Sequence, residues 1–266
     1  MKGGFPMRIR YIPADPAGNL TGLVLTRVPA QRRAALAARL MAVCPEGFEQ
    51  IAFLDEDSLV GPLPRMEMMG GEFCGNASRA FGLLAAQRRG RSETELAVSV
   101  SGAAEPVRVR LDPARGCAYA DMPLPTACLR IEAAGRALDV VRMEGIDHAI
   151  VPDSAPSQAL AEAVLAAMPP APAQGVLFLD EARMTPFVYV AATCTGVWES
   201  SCGSGSVALA WALCRGRADG THVFSFDEPG GCIEVEVRME HGRVVCAMMG
   251  GTVSLGEEKE VEMGEG

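Results

Sequence analysis

The chain has 266 residues, 49% of them hydrophobic and 21% charged, a balance that suits a globular protein burying the core of one or two domains. A net charge of −9 with Lys and Arg scattered along the chain argues against nucleic acid as a partner. No apolar run approaches the roughly 20 residues that would span a bilayer, and the opening "MKGGFPMRIRYIP" lacks an apolar h-region, so no membrane partner and no secretory signal are expected, with a cytoplasmic location as the default.

In chain order, "GLVLTRV" (22–28) predicts a strand, and "PAQRRAALAARLMAV" (29–43) predicts a helix with Pro29 in its first turn. A strand follows at 50–54, and a helix after Cys74 leads to strands at 95–100 and 106–111. "SQALAEAVLAAM" (157–168) predicts a helix ended by "PPAPAQG"; strands follow at 175–179 and 185–193, then a helix after Cys202 and a cleanly alternating strand at 232–239. Runs of strands with a few helices argue for an α+β fold over a parallel βαβ sheet.

Nine cysteines stand at 44, 74, 117, 128, 194, 202, 214, 232 and 246, an odd count without a C-x-x-C pair. A disulfide framework and a zinc ribbon are therefore disfavoured. The three histidines (His148, His222, His241) lack the i, i+4 spacing of a helical metal site, so no metal is expected. Most of the cysteines, Cys194 among them, are expected to be small buried hydrophobes. Two stand apart, because "GGEFCGNASRAFGLLAA" (70–86) and "WESSCGSGSVALAWALC" (198–214) each place a cysteine before a small-residue turn and a helix. Each is followed, at nearly equal distance, by a strand ending near Met122 or Met249. An internal repeat is expected, with a first half over 1–124 carrying Cys74 and a second over 125–249 carrying Cys202. The tail from 250 to 266 is placed so that it can return to the first half.

The first N–H groups of a helix lack partners and carry partial positive charge. A thiol there is expected to ionise more easily, and the same N–H groups can hold a carboxylate. Gly75, Gly203 and Gly205 let the backbone approach a ligand, and Asn76 and Ser204 can cap the helix or donate to an anion. Two such thiols suit stereoinversion without a cofactor. A thiolate base removes an α-proton from one face of a carbon, and a thiol acid delivers another to the opposite face. Preorganised N–H donors would stabilise the carbanion-like transition state.

The chain resembles the diaminopimelate epimerase family of pyridoxal-phosphate-independent amino-acid racemases and epimerases, over nearly its whole length and in order. "DPAGNLTGLVL" resembles the family's Gly-Asn-Asp-Phe segment and points to Asn19, and "EGFEQIAFL" points to Gln50. "FCGNASRAF" resembles Cys-Gly-Asn-Gly-Ala-Arg and gives Cys74, Gly75 and Asn76; "MEGIDHAIV" gives His148; "GVWESSCGSGSVALA" gives Glu199, Cys202, Gly203 and Ser204. The resemblance implies Cys74 and Cys202 as catalytic residues, the others as substrate-binding, and no cofactor. It implies two pseudosymmetric α+β halves, each a strand barrel around a central helix, with the site between them, and it points to a homodimer.

Departures bear on the substrate. Cys194-Thr195 replaces the family's Glu-Arg before Gly196-Val197, and the loop from Glu199 to Cys202 is one residue shorter. The asparagine of Gly-Asn-Pro-His becomes Ile146 or Asp147, and "RMEMMGG" (65–71) replaces Asn-Ala-Asp-Gly-Ser. Polar groups for a distal zwitterion are thus lost or moved, which would leave diaminopimelate's charges unpaired. The histidine racemase branch, which starts staphylopine-type metallophore synthesis, fits better, with Glu46, Glu49 and Asp147 as candidate side-chain readers and Glu199 as a weaker one. Diaminopimelate epimerase or a racemase of another amino acid, proline included, is the alternative. A Cys/His hydrolase using His148 and a non-catalytic amino-acid-binding protein are further ones.

Overall fold

The computed structural model describes residues 7–90 and 93–264; positions 1–6 of the N-terminal stretch lie outside the described residues. The chain divides into two compact units, Met1–Ala120 with Gly251–Gly266 and Asp121–Gly250. Among the described residues there are four α-helices in a mixed α+β arrangement, and no helix is long and apolar enough to cross a membrane.

Unit 1 contains β1 (Met7–Asp15), β2 (Thr21–Val24), α1 (Ala30–Val43), β3 (Gln50–Leu54), β4 (Arg65–Met68), α2 (Gly75–Arg89), β5 (Glu95–Val100), β6 (Val107–Asp112) and β7 (Cys117–Asp121). β1–β2 is antiparallel, β2–β3 parallel, β3–β4 antiparallel, β4–β5 parallel, and β5–β6 and β6–β7 antiparallel. Parallel neighbours need a crossover, and α1 and α2 supply the two. Strand alternation separates two cores. Leu23, Ala52 and Leu54 face α2, packing with Phe81 and Leu84. Val24, Ile51 and Phe53 face the other way, packing with Leu36, Ala37 and Leu40 of α1. Each large side chain so buried contributes roughly 1.5–3 kcal/mol. Helix α1 buries one stripe, as an amphipathic helix must. Helix α2 is buried at every residue but one from Gly75 to Ala86, and its small side chains allow strands to pack around it.

Unit 2 contains β8 (Ala127–Ala133), β9 (Arg136–Arg142), β10 (Ile146–Pro152), α3 (Gln158–Ala167), β11 (Ala173–Asp180), β12 (Arg183–Val190), β13 (Thr195–Trp198), α4 (Gly203–Leu213), β14 (Gly220–Glu228), β15 (Gly231–Glu240) and β16 (Arg243–Thr252). Starting from β9, the pairings run antiparallel, parallel, antiparallel, parallel, antiparallel, antiparallel through β10, β11, β12, β14, β15 and β16. This is the order found in unit 1. β8 pairs with β9, and β13 with β12. Helix α3, capped by the Ser157 hydroxyl, packs Ala161 and Val164 against Ala149, Val151, Val176 and Phe178. The buried residues of α4 run from Gly205 to Ala210. Two short strands, β17 (Ser254–Leu255) and β18 (Lys259–Met263), return the tail to unit 1 as partners of β1.

The strand expected over 22–28 stops at Val24, and the one over 185–193 stops at Val190, where an Ala-Ala-Thr-Cys turn begins.

Candidate active site

Within unit 1, Cys74 is the N-cap of α2, with extended backbone (φ −135°, ψ 114°), and its own sulfur accepts the Ala77 N–H at 3.4 Å. The cap expected of Asn76 is thus made by the cysteine. Asn76 instead presents Oδ1 to the guanidinium of Arg79, at 3.2 Å from Nε and 3.1 Å from Nη2. Arg79 is fully buried and also donates to the carbonyls of Gly251 and Thr252, at 3.1 and 2.9 Å. That fork fixes the amide orientation of Asn76, oxygen toward the arginine and nitrogen away from it.

The thiol is further enclosed by a polar chain. Gln50, the first residue of β3, donates from Nε2 to Asn19 Oδ1 at 2.6 Å and to Thr21 Oγ1 at 2.8 Å, and its amide also reaches the Cys74 sulfur. Asn19 in turn donates to Glu49 Oε2 at 2.7 Å. Asn19, Gln50, Glu49 and Cys74 are therefore one network. Glu46 is taken up elsewhere, by Lys259 Nζ at 2.7 Å and by the Tyr11 hydroxyl at 3.3 Å. Burial works against ionisation of Glu46, but Lys259, a backbone hydrogen bond and the Tyr11 hydroxyl together outweigh it and hold the carboxyl below its usual range.

Within unit 2, Cys202 is the N-cap of α4 (φ −123°, ψ 94°) and is 5% exposed. Its sulfur lies 3.7 Å from Ser204 Oγ, which is 2.9 Å from His148 Nε2. His148 is fully buried on β10, and burial lowers its pKa to about 3, so the imidazole is neutral. Its Nδ1 has no hydrogen-bond partner among the described residues. A lone pair left orphaned costs less than an orphaned N–H, which puts the proton on Nε2. The chain then reads His148 Nε2–H to Ser204 Oγ, and Ser204 O–H to Cys202 Sγ. The ring fits because its neighbour in the parallel register is Gly175, where a Cβ would collide with Nδ1. Asp147, one residue earlier on the strand, faces the opposite side and pairs with Arg142 at 3.2 Å. It does not share the face of His148.

Both thiols are harder to ionise than a free cysteine, which corrects the expectation drawn from helix termini alone. Burial raises Cys74, countered by the Ala77 N–H and the Gln50 amide, with Glu72 adding to the rise. Burial is also the main cause that raises Cys202, joined by the charges of Glu199 and Glu228 and countered by the Gly205 N–H. Glu199, the weakest of the sequence candidates for reading a side chain, thus adjoins a thiol. Gly203 and Gly205 have a packing reason as well: a Cβ would meet Met249 Cε at the first and Leu177 Cδ2, at 2.7 Å, at the second. Cys194 does not pack; it is exposed in the turn before β13 with φ 52°. Among the described residues no group of three or more His, Cys, Asp or Glu side chains is arranged to hold a metal ion.

Arg79 and Glu228 were missed by sequence reasoning. Arg79 has a signal, a lone charge inside the small, apolar run "ASRAFGLLAA". Glu228 reaches the Cys202 N–H from 26 residues downstream, a distance no local motif encodes.

A family model described as the histidine racemase CntK N-terminal domain matches residues 8–260. A histidine racemase of Fusobacterium nucleatum is 32% identical over 218 residues, 76% of this chain and 80% of the relative. One from Staphylococcus aureus is 26% identical over 249 residues, 88% and 90% of the two chains. Among solved structures, a PhzF-family phenazine biosynthesis protein of Bacillus anthracis superposes with a TM-score of 0.67 at 17% identity, covering 96% of this chain and 99% of the other. A hydroxyproline epimerase of Agrobacterium vitis, solved with trans-4-hydroxy-L-proline, gives 0.62 at 16% identity, covering 97% and 93%.

Proposed function

Because the chain belongs to the histidine racemase family, we propose that it interconverts L- and D-histidine without a cofactor, with Cys74 and Cys202 addressing opposite faces of the α-carbon. In this reading it is an isomerase, and the two units are pseudosymmetric halves, each a strand barrel wrapped on its buried helix, α2 or α4. The observation that carries the reading is the duplicated helix mouth. The same cysteine N-cap precedes the same crossover helix in two units with the same order of strand pairing.

One thiolate takes the α-proton as the other thiol gives its own to the carbon, and the roles exchange in the reverse direction. The N–H groups of Gly75 and Asn76, and of Gly203 and Ser204, are suited to hold the substrate carboxylate and the charge that develops on it. The Asn76 side chain, held by Arg79 through its Oδ1, supports the same task. Glu49, tied into the Cys74 network through Asn19, is the acid assigned to the imidazole. Ser204, polarised by His148, stabilises Cys202 once its proton has left.

A Cys/His hydrolase is disfavoured on the same geometry. His148 meets Ser204 and not a sulfur, and an imidazole with a pKa of about 3 is a poor general base near neutrality. The test is incubation with L-histidine, diaminopimelate and proline under reducing conditions without pyridoxal phosphate, followed by chiral chromatography. Loss of chirality in histidine is expected; racemisation of another amino acid alone refutes the substrate, and no racemisation at all refutes the enzyme.

A further inference from the structure

The two helix mouths share a cysteine N-cap and differ in how the serine of the first turn is used. Four residues after each cysteine stands a serine, Ser78 in α2 and Ser206 in α4. In α2 the Ser78 hydroxyl turns back and donates to the Cys74 carbonyl at 2.7 Å. In α4 the Ser206 hydroxyl donates to Glu228 Oε1, and Glu228 Oε2 takes the N–H of Cys202 at 2.6 Å. Glu228 is 7% exposed and closes β14.

The hairpin that follows each helix packs on the residues just before its cysteine. In unit 2, the Gly230 N–H donates to the Ser200 carbonyl at 2.7 Å. In unit 1, the Ser101 hydroxyl donates to the Glu72 carbonyl at 2.9 Å, and Gly102 lies so close to Phe73 that a Cβ would collide with its backbone. Unit 2 adds to this contact the carboxylate of Glu228, two residues before Gly230. Both Glu228 oxygens accept, one from an N–H and one from an O–H, the pattern of an ionised carboxylate. A negative charge is also stabilised at a helix N-terminus.

We propose that Glu228 is a positioning residue for Cys202: its carboxylate closes the mouth of α4 and keeps the neighbouring thiol protonated, so that Cys202 waits as the proton donor for the direction in which Cys74 is the base. The inference rests on the racemase reading above and assigns Cys202 its resting state, the protonated thiol. In the step so ordered, the α-proton passes to the Cys74 sulfur and the Cys202 S–H bond breaks toward the carbon, with no change in total charge. Among the described residues, the charged or titratable groups facing the Cys202 sulfur include Glu199, between β13 and α4; Glu228 from β14; and, through Ser204, the neutral His148 from β10. The net raising of Cys202 by burial and both glutamates agrees with this assignment.

The test alkylates the full chain with iodoacetamide across about pH 7 to 10 under reducing conditions, reading Cys74 and Cys202 separately by peptide mass spectrometry. Glu228→Gln keeps an acceptor for the Cys202 N–H and removes the charge. Its Cys202 should alkylate about tenfold faster below the midpoint, for a displacement of about one pH unit, with Cys74 within about twofold of wild type. Glu228→Asp keeps the charge and should stay within about threefold of wild type at Cys202. Should Glu228→Gln not fold, the wild-type order still decides, Cys202 titrating above Cys74. An unchanged Cys202 in Glu228→Gln, equal displacement of both cysteines, Asp behaving as Gln, or a reversed wild-type order overturns the proposal. Alkylation needs no turnover, so these results stand apart from whether histidine is racemised.

Discussion

Replacing Arg79 with methionine removes the charge that organises the α2 mouth while nearly keeping the volume. The guanidinium is fully buried, and its bonds to Asn76, Gly251 and Thr252 span 2.9 to 3.2 Å. Bonds of this charge-assisted kind contribute about 1.5–3 kcal/mol each, and part of that sum offsets the desolvation of the buried cation. Three neutral acceptors are left with no arginine to meet them, at about 1–3 kcal/mol each, offset in part because no buried cation remains to be desolvated. A loss of about 3 kcal/mol should lower the melting temperature by about 6–12 °C, at roughly 2–4 °C per kcal/mol for a protein of this size. Asn76 would also lose the fork that fixes its amide, so kcat/KM for histidine should fall about tenfold. Arg79→Lys keeps the charge but not the fork and should fall between the two. Differential scanning fluorimetry with chiral rate measurements reads both. A Met variant melting within about 2 °C of wild type would refute the assignment of Arg79 as the organiser of this mouth.

His148 gives a pH signature. Its pKa is about 3 in the folded protein and near 6.5 unfolded, so between those values the unfolded chain binds the extra proton. Its stabilising share is therefore full above about pH 6.5 and is lost as pH falls toward 3, reaching about 2 kcal/mol lost at pH 5. Thermal melts at neutral pH and at pH 5 should show a larger drop for wild type than for His148→Gln, and equal drops would contradict the buried neutral ring. Gly175→Ala should drive the His148 ring out of place and cost about 1–3 kcal/mol; an unchanged melting temperature with full activity counts against that packing. If both sulfurs address one carbon, mild peroxide should inactivate reversibly and leave a Cys74–Cys202 disulfide in a non-reducing peptide map. Inactivation by other cysteines alone would weaken the pairing.

The helix mouths were legible because a cysteine, small residues and a helix follow one another within a few positions, and local spacing is what a sequence displays. The same holds for α1 and α3, whose apolar stripes and flanking prolines mark their ends. β14 was missed because its solvent-facing side chains, Thr221 and Val223 among them, blur the alternation that exposed β15. Glu228 was missed because its meaning lies in the tertiary contact with Cys202, not in its neighbours. The expected ease of ionisation failed for a related reason. A helix terminus is a local feature, whereas burial and the charges of Glu199 and Glu228 are set by the whole unit. Glu46 and Asp147 read as candidate acids by sequence proximity, and strand alternation and Lys259 took them into other pairs.

The most direct test of the two-thiol account is an early-time racemisation of L-histidine in deuterated water. Two separate acid/base groups whose thiols exchange with solvent should place deuterium on the α-carbon of nearly every D-histidine formed, while the remaining L-histidine stays protiated. Cys74→Ser and Cys202→Ser should each lower the rate by roughly a hundredfold or more. D-Histidine that keeps the substrate's own α-proton, or full activity in either serine variant, would contradict it.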